Sequence, residues 1–206
     1  IPNMPSLDGT EFEVSTGVAQ TENGDGIDTE LNAVVNLALS DTFAVRANVG
    51  RSDNAGWIDR PQGYQLDKST NPGTPKLANE GDYLPSATAL EAKKGINSED
   101  STYARVAALW QPNDDFKATL AYNYQKDTSE GNPTRAVDYQ DLGDYDTAAL
   151  TDEPYESEID LVSLDVEVNL GFATFTTSIS TYDSEQTFGT DVTGNYQALG
   201  FYNYSY

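Results

Sequence analysis

Apolar residues recur at every second position through much of this chain. Phe12, Val14, Thr16 and Val18 alternate with Glu11, Glu13, Ser15 and Gly17. The same pattern places Leu31, Ala33, Val35, Leu37 and Leu39 in a second run, and Phe43, Val45, Ala47 and Val49 in a third. Ala104, Val106, Ala108 and Trp110 make a fourth, and Phe116, Ala118, Leu120, Tyr122 and Tyr124 a fifth. Val162, Leu164, Val166, Val168 and Leu170 form a sixth, Phe175, Thr177 and Ile179 a seventh, and Tyr202, Tyr204 and Tyr206 open an eighth. Residues such as Arg46, Asn48, Lys117, Asn123, Asp165 and Glu167 fill the intervening positions. A period of two predicts strands with one apolar face. Helical periodicity is weak, and 87–94 admits one short turn-rich helix at most.

The connections alternate in length. Ser40-Asp41-Thr42, then 111–115, then Gly171-Phe172 join consecutive runs, and the flanking apolar residues keep one face across each. Gly171-Phe172 is a Gly-X pair suited to a two-residue hairpin turn. The other connections, 51–101 and 126–156, are long and rich in Pro, Gly, Asn and acidic residues. Such loops are uncommon in compact soluble domains. Aromatic residues also mark the strand ends, with Phe12, Phe43, Trp110, Phe116 and Phe175 beside the short turns and Tyr122 and Tyr124 opposite. Phe116 to Tyr124 spans roughly 26 Å along a strand, close to the apolar band of an outer-membrane barrel once the strand tilts. The expected fold is all-β: an antiparallel up-and-down meander forming part of a transmembrane β-barrel, with short periplasmic turns and long extracellular loops. A soluble antiparallel sandwich explains the alternation equally well, but not the one-ended long loops.

Composition narrows the chemistry. The 206 residues are 37% hydrophobic, a value compatible with a barrel because only alternate residues face lipid. No run approaches the length of a spanning helix. Net charge is −23, from 34 Asp and Glu against 11 Lys and Arg, which disfavours nucleic acid as a partner. Cys and His are both absent, removing thiolate chemistry and the commonest general base and transition-metal ligand. Neither a cofactor nor an enzymatic activity is expected. The chain opens at Ile1 without a cationic-apolar leader, so any export signal is expected to have been removed or to lie outside it.

With its strands laid out, the sequence resembles TonB-dependent outer-membrane receptors. Ile1-Pro2-Asn3-Met4-Pro5 looks like the exit from the family's plug, and residues 12–39 like its first barrel hairpin. Phe43-Ala44-Val45-Arg46-Ala47 followed by Gly56-Trp57-Ile58-Asp59 resembles a third strand and the start of the next loop. Residues 104–116, from Ala104 through Trp110-Gln111-Pro112-Asn113 to Phe116, resemble a wall strand and its periplasmic turn. The resemblance implies that 1–9 connect plug to barrel and that 10–206 are the first seven or eight strands. It implies a receptor in the bacterial outer membrane that imports a scarce nutrient, ferric siderophore by default, using energy delivered by TonB through the plug. Lipid and lipopolysaccharide would be its surroundings. The alternatives are a small complete eight-stranded outer-membrane barrel and a secreted carbohydrate-binding sandwich.

Candidate chemistry lies in the loops. Trp57, Arg60, Tyr64 and Tyr83 in the first long loop, with Arg135 in the second, combine aromatic and cationic groups as ligand-contacting loops do. Packing of the loop against itself is the competing explanation. Asp138, Asp141, Asp144, Asp146, Asp152, Glu153, Glu156 and Glu158 suit a solvated loop, or one bridged by Ca²⁺ to lipopolysaccharide phosphates. Thr21 to Asp28 imitates a calcium loop, but Thr21 and Asn32 stand where acidic ligands belong, which favours a plain turn.

Overall fold

A computed structural model describes residues 4–61, 63–65, 89–90, 92–132, 143–147, 149, 152–191 and 204–205. Its strands, in chain order, are β1 (Glu11–Ala19), β2 (Asp28–Ser40), β3 (Phe43–Asn54), β4 (Gly63–Gln65), β5 (Ala89–Leu90), β6 (Glu99–Asn113), β7 (Phe116–Ser129), β8 (Tyr155–Asn169), β9 (Thr174–Phe188) and β10 (Tyr204–Ser205). No helix occurs among the described residues. Seven strands form one antiparallel sheet in the order β1-β2-β3-β6-β7-β8-β9. The expected all-β meander is therefore present, as an open sheet with β1 and β9 at its edges. The other three strands make a small sheet in the order β10-β4-β5.

Three details depart from the sequence expectation. Tyr204 and Ser205 pair with Gln65 and Tyr64, so the eighth run does not extend the meander. Ala89 and Leu90 are extended and Lys93 bridges Arg60, so the described part of 87–94 is not helical. Pro112, expected in a turn, lies within β6, where the register shifts between Trp110 and Asn113. Proline lacks an N–H for the ladder and is tolerated at such irregularities. The turn itself shrinks to Asp114-Asp115.

Side chains at the strand ends fix the three short turns. The Thr42 N–H donates to Ser40 Oγ at 3.2 Å, the Asp115 N–H to Asn113 Oδ1 at 3.0 Å, and the Gly171 N–H to Asn169 Oδ1 at 2.9 Å. Each imitates a backbone turn with a short polar side chain. Gly171 adopts φ 81°, a left-handed conformation that side chains resist.

These turns set a register that sorts residues onto two faces. One row of the apolar face runs Leu37, Val45, Ala108, Leu120, Leu164, Ile179 across β2 to β9. A matching row of the polar face runs Asn48, Arg105, Asn123, Leu161, Tyr182 across β3 to β9. Every buried residue of the seven long strands belongs to the polar face, among them Asn36, Ala44, Arg46, Ala107 and Thr119. Across β2 to β8 the apolar face is the more exposed one, with Trp110 at 51% and Leu120 at 53%, while the edge strands β1 and β9 are exposed on both faces.

The apolar band also slants across the rows. Phe12 on β1 shares a row with Val35, Ala47, Val106 and Tyr122. Phe43 and Trp110 stand two rows nearer the short turns, and Phe116 and Phe175 three rows nearer. Phe12 therefore does not lie level with the other turn-end aromatics along the hydrogen-bond rows, as alternation alone suggested. The lower edge of the band descends about one residue per strand.

Gly171→Ala is expected to lower unfolding free energy by about 1 kcal/mol, and Gly171→Asn by less, because Asn tolerates the left-handed region. Urea unfolding midpoints of the two variants check this order.

Candidate functional site

Two regions bring polar side chains into ordered arrangements. The first is the polar face where residues 4–9 cross it. Asn36, 1% exposed, holds this segment with its side-chain amide. Its Oδ1 accepts the Ser6 N–H at 2.9 Å, while its Nδ2 donates to the Ser6 carbonyl at 2.9 Å and the Gly9 carbonyl at 2.7 Å. A side chain thus satisfies backbone groups that would otherwise need a strand partner. Beside it, buried Arg46 reaches Glu11 at 3.0 Å. Arg105 approaches the Met4 Sδ at 3.7 Å. Further along the same face, Asn48 donates to Asn32 Oδ1 at 2.8 Å, as does the Tyr103 hydroxyl at 3.2 Å.

The second region is a cluster of loop segments at the opposite end from the short turns. Asn97, almost fully buried, accepts the N–H groups of both Trp57 and Ile58 at 2.8 Å. Ile58 and Ile96 form the small apolar core beneath. Gly56 lies so close to Gly95 that an added Cβ would sit 1.9 Å from its carbonyl oxygen. The Asp59 N–H donates to the Tyr145 carbonyl, and the Thr147 N–H to the Asp59 carbonyl, both at 2.8 Å. The two long loops are therefore joined by backbone hydrogen bonds. The first hairpin loop joins them through Asn23, which donates to the Trp57 carbonyl at 2.9 Å.

The sequence candidates fall differently within this cluster. The Trp57 ring meets Tyr145 edge to face, with centroids 6.2 Å apart. Arg60, with a side chain only 12% exposed, pairs with Asp152 at 3.0 Å. Lys93 joins the same group through Glu130 at 3.4 Å and Asp152 at 3.7 Å. Both Trp57 and Arg60 therefore contribute to packing between loops. The backbone of Tyr64 lies in β4. Tyr83 and Arg135 lie outside the described residues, as do Asp138 and Asp141. At the supposed calcium loop, Thr21 donates to Asp28 at 2.7 Å and Asp28 accepts the Ala55 N–H at 2.8 Å, which is turn chemistry. No group of three acidic side chains placed to hold a metal occurs among the described residues.

Asn36 and Asn97 were not anticipated. Each is an Asn among many, and its role depends on segments that are distant in sequence. For Asn36 the only available signal is its position at mid-strand on the polar face.

Asn36→Ala is expected to cost about 1–3 kcal/mol by stranding the Ser6 N–H and two carbonyls. Hydrogen exchange should then rise selectively over residues 4–10, and protection unchanged there would contradict the clasp. Compared with protein-family models, curated proteins and solved structures, the chain matches none.

Proposed function

We propose that this chain forms early strands of the wall of a bacterial outer-membrane β-barrel, and that the barrel is a TonB-dependent receptor importing a scarce nutrient, ferric siderophore first among its cargoes. One observation carries the wall reading: across β2 to β8 every buried residue lies on the polar face, while the apolar face leaves Leu31, Val49, Val106, Trp110 and Leu120 about half exposed. A water-soluble sandwich requires the reverse, because exposed apolar surface costs roughly 25 cal/mol per Å² in water. Lipid removes that cost.

The slant of the band adds geometric support. With about 3.3 Å per residue and about 4.8 Å between strands, one residue of descent per strand corresponds to a tilt of roughly 35°. Outer-membrane barrels tilt their strands by about 35–45°. A band held level in a membrane must slant across the hydrogen-bond rows in this way. The receptor reading draws its support from residues 4–9, clasped to the polar face by Asn36. A chain leaving a plug inside a barrel would take that position.

Neighbouring residues on β9 provide the test. Ile179→Arg puts a charge on the apolar face and is expected to cost about 2–4 kcal/mol in a bilayer, whereas Ser180→Arg on the polar face changes little. In a soluble protein both positions are exposed and both substitutions would be nearly neutral. Folding titrations of the intact protein in lipid vesicles distinguish these outcomes. Siderophore-supported growth in low iron should also vanish when TonB is deleted; growth that persists would end the receptor reading while leaving the wall reading intact.

A further inference from the structure

The last row of the polar face before the loops places two aromatic residues on neighbouring strands. That row runs Asn54, Glu99, Ser129, Tyr155 and Phe188 across β3, β6, β7, β8 and β9. Tyr155 and Phe188 are direct partners across β8 and β9, and both rings are exposed, Phe188 on an edge strand that is exposed along its length.

A cavity of about 410 Å³ opens against these rings, lined also by Glu99, Glu153, Asn132 and Thr190. A second, of about 220 Å³, shares Glu99, Ser129 and Tyr155 with it and adds Asp100 and Asp127. Neither lining contains a lysine or arginine. The Glu99 carboxylate has no hydrogen-bond or ion-pair partner among the described residues.

We propose that the two cavities form one binding site for an organic cation, an alkylated ammonium or guanidinium carried on a small molecule. Such a cation is a ligand distinct from the siderophore cargo proposed above, and the site rests on that reading only for its place at the barrel mouth. Ring faces attract cations by about 0.5–2 kcal/mol, depending on how fully water is excluded. The carboxylates add attraction of the same sign, and a chain of net charge −23 enriches cations around itself. An anionic ligand meets repulsion from Glu99, Glu153 and Asp127, whereas Asp100 pairs with Arg51 on the other face. A bare metal ion is also disfavoured, since the carboxylates are too dispersed for three to converge on one point. A larger cation with an apolar surface satisfies rings and carboxylates together.

Calorimetric titration of the intact protein in detergent tests the site with choline, its uncharged isostere 3,3-dimethylbutan-1-ol, and maltose. Choline is expected to bind about tenfold more tightly than the isostere, with affinity falling as salt is raised. Phe188→Ala, on an exposed edge strand, should weaken choline binding about threefold to tenfold. Glu99→Gln should weaken choline and leave the alcohol unaffected. Equal binding of choline and the alcohol, preference for maltose, no choline binding, or full choline affinity in both variants would each overturn the proposal. Loss of choline binding with the Ile179 and Ser180 contrast intact would remove this site alone.

Discussion

The register of the antiparallel ladder is the constraint on which every other feature depends. A slip of one residue would carry Leu120 and Leu164 to the polar face and Thr119 and Asp165 to the apolar one. The turns resist such a slip. Ser40, Asn113 and Asn169 each cap the backbone two residues ahead, and the irregularity at Pro112 absorbs the offset between β6 and β7. Because the long strands follow one another without crossover, each turn needs to define only one pairing.

Register also explains why both faces are internally consistent. On the polar face, small residues such as Ala44, Ala107 and Ala121 leave room for Asn36, Arg46 and residues 4–9. On the apolar face, Trp110 and Phe116 meet edge to face with centroids 5.3 Å apart, fixing the lower margin of the band between β6 and β7. In the proposed barrel these are the water-facing and lipid-facing surfaces of one wall. The loop cluster built on Asn97, Ile58 and Ile96 then covers the end away from the short turns.

Alternation in the sequence was sufficient to find all seven long strands, because Val, Leu and Phe against Asn, Arg and Asp leave a clear period of two. It underestimated their length at the loop end. Above the band both faces are polar: Asp53, Asp100, Lys126 and Glu156 continue the apolar side, while Ser52, Ser101, Asp127 and Ser157 continue the other. Alternation then has no contrast to display, although the backbone ladder continues to Asn54 and Ser129. The slant of the band was hidden for a different reason, since the offset between strands is a property of pairing and not of any one segment. The loop candidates exposed the weakness of composition as a guide. Trp57 and Arg60 have the residue types of a ligand site, yet their contacts with Tyr145 and Asp152 tie the loops to one another.

The distribution of charge bears on what such a wall admits. The loop-end rows of the apolar face carry Asp53, Asp100, Glu156, Glu158, Asp160, Asp183 and Glu185, against Arg51 and Lys126. Arg51 is engaged by Asp53 and Asp100, and Lys126 by Glu156 and Glu158, so neither cation is free to counter the remaining acids. The polar face adds Glu99, Asp127 and Glu153 at the same level. Acidity on both sides of one strand end creates a field that screening limits to about 8 Å at physiological salt, which is enough to span the adjoining cavities. An anionic ferric complex would approach this sector against that field. In the proposed receptor this sector therefore favours neutral or cationic cargo.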